Sequence, residues 1–286
     1  VTENDTGPAA LRAVAEQLAD EAATFVRRRR DEVFGIRGSA ADEAAAGAVR
    51  SKSTRTDPVT VVDTETERLL RERLAVLRPG EHVLGEEEGG AAGVREGRLT
   101  WVLDPIDGTV NFVYDIPAYA VSVAVQLDGE SVAGAVADVA AGEVYSAARG
   151  HGAQLRTGGS TRPLRCSGAD ELALALLGTG FAYAPDRRRR QAEILTRVLP
   201  EVRDVRRIGS CALDLCMVAA GRLDAYYEDG VNVWDWAAGA LIAAEAGADV
   251  ALPPPDGAVG GSGLVVAAAP GIAADLADAL ARAGLS

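Results

Sequence analysis

Residues 101–109 read Trp-Val-Leu-Asp-Pro-Ile-Asp-Gly-Thr, an apolar run that ends in two carboxylates three residues apart, Asp104 and Asp107. A strand that delivers two carboxylates into a tight turn puts them at its carboxyl end, where ligands of layered α/β proteins commonly sit. Pro105 stiffens such a turn. Gly108 permits an unusual backbone angle and close ligand approach. Thr109 can cap a following helix, whose free N–H groups suit a phosphate. Carboxylates at this spacing suit a hard divalent cation, which takes oxygen ligands. They equally suit Asx-turn and capping hydrogen bonds, and these residues alone leave both readings open.

More carboxylates follow the same pattern. Gly85-Glu86-Glu87-Glu88-Gly89-Gly90 comes after a strand-like run at residues 82–84 and reads as cation ligands or as an acidic surface turn. Asp235, in Trp234-Asp235-Trp236, opens an apolar helical run and could be its N-cap. Lys52 and Asp63 flank Asp57-Pro58-Val59-Thr60-Val61-Val62. Nucleophilic catalysis is poorly supported. His82 and His151 are the only histidines, no pair is evident, and both read as structural. Cys211 has no histidine partner, and its spacing to Cys216 is not that of a metal site.

The elements that must position these residues come from periodicity. Leu11, Val14, Leu18, Ala22 and Phe25 predict an amphipathic helix from Pro8 to Arg29, with Arg27 to Arg30 as its solvated basic end. Arg187 to Arg190 read likewise as a solvated run. Residues 39–50 read as a helix or a loop. Thr64-x-x-Glu67 resembles a capping box, followed by a helix face of Leu69, Leu70, Leu74 and Leu77 that ends at Pro79-Gly80. Runs at 82–84, 100–103, 121–127, 132–138 and 143–148 predict short strands, the last three an antiparallel meander. The second half predicts strands at 172–177, 205–208, 223–227 and 264–268. Helices are expected at 186–199, 212–220, 234–246 and 272–283, and Pro253 to Gly263 as a surface loop. Strands interleaved with helices indicate a layered α/β or α+β fold.

Composition narrows the function classes. The chain has 286 residues with 42 acidic and 29 basic side chains, a net charge of −13. Such a charge disfavours sequence-independent nucleic-acid binding, and it would repel an anionic substrate unless cations neutralise some of the carboxylates. Apolar residues at 48% and charged residues at 25% exclude global disorder. No uncharged apolar stretch is long enough to span a membrane. Residues 1–10 do not read as a signal peptide. Three cysteines without a CxxC pair argue against a disulfide framework, so a reducing cytoplasm is the expected compartment.

Two segments carry a resemblance to a known family. Trp101 to Phe112, WVLDPIDGTVNF, resembles the first motif of the inositol monophosphatase family almost letter for letter, and Trp234 to Ala248, WDWAAGALIAAEAGA, resembles its C-terminal motif. Gly85-Glu86-Glu87 and the stretch from Lys52 to Asp63 fall where the family has related segments. The resemblance spans residues 8–285. It implies an α+β fold, the layered αβαβα sandwich of the inositol monophosphatase and fructose-1,6-bisphosphatase type. It also implies a single domain with an antiparallel half at about 8–160 and a mixed-sheet half at about 161–285.

The resemblance further implies a Mg²⁺-dependent, lithium-sensitive phosphomonoesterase acting on inositol 1-phosphate, as a homodimer with two or three Mg²⁺ per site. Glu86, Asp104 and the Ile106 carbonyl correspond to the ligands of one cation. Asp104, Asp107 and Asp235 correspond to those of a second, and Glu87 to an outer or third-metal contributor. In such a site cations activate water and clamp phosphate oxygens. Thr109 and Asp63 resemble the pair that orients the water, and Lys52 a lysine near the phosphate. Gly108 and Thr109 correspond to phosphate-binding amides. Gly209, Ser210, Cys211 and Glu228 correspond to residues that touch the polyol, along with Asp107 and Asp235. Where animal members carry His-Cys, this chain has Asn232-Val233, which bears on substrate preference. Histidinol phosphate, fructose 1,6-bisphosphate, 3′-phosphoadenosine 5′-phosphate and a non-catalytic scaffold role are the alternatives.

Overall fold

A computed structural model describes residues 6–35, 48–52, 58–90, 96–254 and 263–285. Most of the 39–50 segment, Asp57 and much of the 253–263 loop lie outside them. Helix α1 (Pro8–Phe34) starts on a proline at its first turn and buries Leu11, Ala15, Leu18, Ala22 and Val26 along one stripe. It runs past the expected end at Arg29, because the basic run is not a solvated terminus. Arg29 pairs with Glu65 at 2.8 Å. Arg30 is buried, donates to the Phe112 carbonyl and pairs with Asp115.

Strands β1 (Val49–Ser51) and β2 (Pro58–Thr60) form a small antiparallel pair that leads into helix α2 (Val61–Leu77). The expected capping box at Thr64 and Glu67 is displaced by one turn. Thr60 is the N-cap and accepts from the amides of Val62 and Asp63, while Asp63 accepts from the Thr60 amide at 2.9 Å. The sequence offers the same Thr-x-x-acid spelling twice, and the earlier one caps the helix. Glu67 points into the protein instead.

A seven-stranded sheet follows. It runs β3 (His82–Gly85), β4 (Leu99–Asp107), β5 (Ala120–Leu127), β6 (Glu130–Asp138), β7 (Glu143–Ala148), β8 (Ala153–Thr157) and β9 (Ser160–Pro163) in spatial order. All neighbours are antiparallel except β3 and β4, which are parallel, so this sheet is mixed at one edge. The short helix α3 (Thr109–Tyr114) bridges β4 and β5. The second sheet has the order β11-β10-β12-β14-β13. It combines β10 (Leu176–Thr179), β11 (Asp204–Arg206) and β12 (Ala225–Asp229) in parallel with β13 (Asp249–Ala251) and β14 (Leu264–Ala268), of which β14 is antiparallel to its neighbours. The expected strand at 172–177 is a 3₁₀ turn at Leu172–Leu174 and then β10, so the pairing starts later.

Side-chain alternation along the strands assigns the layers. Trp101, Leu103, Val121, Val123 and Val125 pack with α1 and α2 on one face of the seven-stranded sheet. Val102, Ala120, Ala124 and Val136 pack on the other face against α5 (Cys211–Ala219) and α6 (Val233–Glu245). Those two helices also meet Tyr226, Val265 and Ala267 of the second sheet. Its far face, with Leu177, Ala225 and Tyr227, is covered by α4 (Pro185–Val198) and α7 (Ala273–Ala283). The order is helix, sheet, helix, sheet, helix, the αβαβα sandwich. Small residues let the central helices sit close. A Cβ on Gly134 would stand 3.0 Å from the Ala238 Cα. Among the described residues no helix is long and apolar enough to cross a membrane.

Candidate active site

Asp104 and Asp107 lie on one strand, and a regular strand would send residues three apart to opposite faces. Strand β4 avoids this with a bulge. Asp104 pairs with Ser122 and Asp107 with Ala120, so three steps on β4 match two on β5. The extra residue reverses the alternation. Val102 faces the central helices, whereas Ile106 packs with α1 and α2. Asp107 is thereby returned to the side of Asp104.

Backbone groups tether each aspartate through one oxygen. Asp104 Oδ1 accepts the Ile106 amide at 3.0 Å. Asp107 Oδ2 sits at the start of α5, accepting the Ala212 amide at 2.7 Å and the Ser210 hydroxyl at 2.6 Å. Ser210 is also the N-cap of α5. Asp235 is the third residue of α6, and its Oδ2 accepts the amide of the N-cap Asn232. Asp235 is therefore the acidic member of a capping box, not the cap itself. The three carboxylates bring one oxygen each within 4.8 Å of the others. Burial first, then repulsion from neighbouring carboxylates, raises Asp104 and Asp235 well above the usual carboxylate range, and burial likewise raises Asp107. Buried or partly buried, like-charged oxygens with no cationic side chain among their hydrogen-bond partners in the described residues fit a hard divalent cation.

Glu86 borders this group on the turn after β3. Its amide donates to Leu103 O on β4 at 3.2 Å, which fixes it beside Asp104. Lys52, at the end of β1, donates to Glu86 Oε1 at 2.8 Å and to Glu87 Oε1. Burial alone would lower the Lys52 ammonium, but Glu86 and Glu87 outweigh it and the net direction is upward. Burial raises Glu87 to about 7. Glu88 lies further out, near Arg71 at 3.5 Å.

Gly108 turns the chain after the aspartates with φ +93, and a Cβ there would stand 3.0 Å from Ala118 O and 3.1 Å from Gly209 O. This close approach joins the motif to the Gly209-Ser210-Cys211 segment. Thr109 is the first residue of α3 but does not cap it. Its hydroxyl lies 3.1 Å from Asp63 Oδ1 and 3.0 Å from the Ile106 carbonyl. Asp63 is fully buried, and burial raises it to about 6 against the opposing bonds from Thr60.

These residues open on a cavity of about 570 Å³, a size suited to a small ligand. Asp104, Asp107, Asp235, Glu86 and Lys52 line one side, with Gly209, Cys211 and Glu228 elsewhere on its wall. Ser210 and Asp63 stand behind the wall. Burial drives the Cys211 thiol far upward, which leaves it protonated and unreactive. Glu228 lies within β12, two residues after Tyr226, whose hydroxyl donates to Glu228 Oε2 at 2.6 Å. The carboxylate lies against Gly180, where a Cβ would stand 1.9 Å from Oε2.

Several lining or supporting residues escape sequence reasoning. Arg187 belongs to the cavity wall, not to a solvated run, because it opens α4 beside Gly230. Arg207 lines it too, close to Gly209. Gly180 and Tyr226 carry no local signal and Glu67 only that of a helix cap it does not make, since each acts across a gap between elements distant in sequence. His82 and His151 do not line the cavity.

Residues 8–284 match the sequence profile of the inositol monophosphatase family. The chain is 67% identical over 285 residues to the inositol-1-monophosphatase of Mycobacterium leprae, covering 99% of this chain and 97% of that one. The solved structure of Mycobacterium tuberculosis SuhB is similar with a TM-score of 0.82 and 60% identity, covering 98% of this chain and 99% of the other. The extragenic suppressor protein suhB of Bartonella henselae is similar with a TM-score of 0.79 and 31% identity, covering 95% and 98%. The motifs, the five layers and the matches over almost the whole length agree: the chain belongs to the inositol monophosphatase family.

Proposed function

We propose that the protein hydrolyses inositol 1-phosphate to inositol and phosphate with Mg²⁺ as its cofactor. The observation that carries this reading is the trio Asp104, Asp107 and Asp235, the first buried and the others partly so, converging within 4.8 Å at a cavity of ligand size. These three, with Glu86 and the Ile106 carbonyl, are the groups that would hold Mg²⁺. Bound there, the cation supplies Lewis-acid chemistry, drawing charge from phosphate oxygens and from water.

The chain's own groups do the rest. Thr109 Oγ1 has one proton, donated to Asp63 or to the Ile106 carbonyl, and its lone pairs are left to orient a water. Asp63, raised to about 6, is suited to take a proton through that hydroxyl near neutral pH. The amides of Gly108 and Thr109 face the phosphate in this reading, and Lys52 adds positive charge beside it. Glu228, held through one oxygen by Tyr226, keeps the other for vicinal hydroxyls of a polyol. The net charge of −13 is then reconciled with an anionic substrate, because the acidic cluster attracts phosphate only once cations fill it.

The reading extends to lithium inhibition, a homodimer and a reducing cytoplasm, the last supported by three free cysteines. Its test is a panel of phosphate-release rates on inositol 1-phosphate, histidinol phosphate, fructose 1,6-bisphosphate and 3′-phosphoadenosine 5′-phosphate, with and without Mg²⁺ and Li⁺. The highest kcat/KM on inositol 1-phosphate, dependent on Mg²⁺ and suppressed by Li⁺, supports it. A higher value on another ester reassigns the substrate, and no release from any ester overturns the reading.

A further inference from the structure

Helix α2 presents two fully buried carboxylates one turn apart, Asp63 and Glu67. Asp63 reaches Thr109. Glu67 reaches the other half of the site. Its Oε2 accepts the Glu87 amide at 2.7 Å and its Oε1 accepts the Glu88 amide at 3.0 Å. Arg71, one turn further along α2, donates to Glu67 Oε1 at 2.9 Å and to the Gly89 carbonyl at 2.5 Å. The carboxylate sits where a side chain on Gly85 would be, since a Cβ there would stand 2.2 Å from Oε1. Every residue of the turn from Gly85 to Gly89 except Glu86 is thus in contact with Glu67 or Arg71. Glu86 itself is tied to β4 through its amide.

We propose that Glu67 is a positioning residue for the cation site: it clamps the turn so that the Glu86 carboxylate is presented toward Asp104. Acceptor count makes a carboxylate necessary at this position. Two neighbouring backbone N–H groups and a guanidinium converge on two oxygens of one ionised group, and only a carboxylate accepts at both. A glutamine of the same size offers one oxygen and turns its NH₂ against a donor, so at least one amide loses its partner. A turn released in this way lets Glu86 move relative to Asp104, and supporting groups behind metal ligands commonly change affinity by about 10- to 100-fold. Glu67 and Asp63 together make α2 a common frame for the two segments that build the site. The inference rests on the Mg²⁺ reading above.

The test uses the full chain as wild type, Glu67→Gln and Leu74→Ala. Leu74 is buried on the same helix within the apolar core and does not line the cavity, so its variant reports what general destabilisation does. Mg²⁺ binding is measured by calorimetric titration, hydrogen exchange at the Glu87 and Glu88 amides by NMR, and Tm by thermal unfolding. The expected result for Glu67→Gln is faster exchange at those amides and Mg²⁺ affinity weaker by about 10-fold or more. Leu74→Ala is expected to lower Tm while affinity stays within about twofold, its site contacts being intact. Equal Mg²⁺ affinity in Glu67→Gln and wild type overturns the inference and leaves the phosphatase reading standing. No Mg²⁺ uptake by the wild type overturns that reading, and the inference with it.

Discussion

The Thr109 hydroxyl lies 3.1 Å from Asp63 Oδ1, although 46 residues separate the two in sequence. Both are buried, Thr109 on the wall of the cavity and Asp63 behind it. Removing the hydroxyl in Thr109→Val, or the acceptor in Asp63→Asn, should lower kcat by about 10²- to 10⁴-fold. KM should change little, since neither side chain holds the polyol. Steady-state kinetics on inositol 1-phosphate check this, and an unchanged kcat in both variants would remove the pair from the chemistry.

The other end of the cavity should respond in KM. Glu228 lies against Gly180, and a methyl group there would overlap its carboxylate. Gly180→Ala is therefore expected to shift Glu228 and raise KM for inositol 1-phosphate by about 10-fold or more, with kcat changed far less. A smaller phosphate ester with no ring hydroxyls should show little of the KM effect. Comparing the two substrates on both proteins separates loss of polyol contacts from general damage.

Asp214 offers a pH test of stability. It is buried in α5, its Oδ1 has no hydrogen-bond partner among the described residues, and burial drives its pKa well above the usual carboxylate value. With the folded value above the unfolded one, the native state binds more protons than the unfolded chain from about pH 4 upward. Stability is lost as pH rises through that window, by at most about 1.4 kcal/mol per pH unit for one group. Asp214→Asn removes the titration. Its Tm relative to wild type, measured in chelator from pH 4 to 8, should improve as pH rises; a constant difference would show that the carboxyl does not titrate there.

Packing between the central helices and the seven-stranded sheet leaves no room to grow. A Cβ added at Gly134 would stand 3.0 Å from both the Cα and the Cβ of Ala238. Ala238→Leu is expected to cost about 1–3 kcal/mol through overpacking, read by denaturant unfolding with the slope unchanged. A loss below 0.5 kcal/mol, on the order of a surface substitution, would mean that the layers can separate cheaply.

Much of this architecture was legible because the motifs couple local pattern to chemistry. The run into Asp104 and Asp107 announced a strand end, and Trp234 to Ala248 announced an apolar helix beginning with an acid. The bulge was not legible: nothing in Asp-Pro-Ile-Asp states which residue lacks a partner on β5. The α2 cap was ambiguous for a physical reason. Thr60-x-x-Asp63 and Thr64-x-x-Glu67 both place an acid three residues after a threonine, and in the fold Glu67 is taken up by the amides of Glu87 and Glu88. Arg30 and Arg187 looked solvated because a run of arginines gives no sign of which one turns inward. Gly180 and Tyr226 have roles only through Glu228, across elements whose neighbourhood no local spacing encodes.

Phosphate release is expected to depend on a cation held by the convergent aspartates. The most direct measurement of this dependence is the initial rate of phosphate release from inositol 1-phosphate by chelator-stripped protein as Mg²⁺ is added back, with Asp235→Asn alongside. The expected result is no release before addition, a saturable rise for the wild type, and a rate at least about 100-fold lower for the variant at the same Mg²⁺. Full activity in chelator, or an Asp235→Asn curve that overlays the wild type, would contradict it.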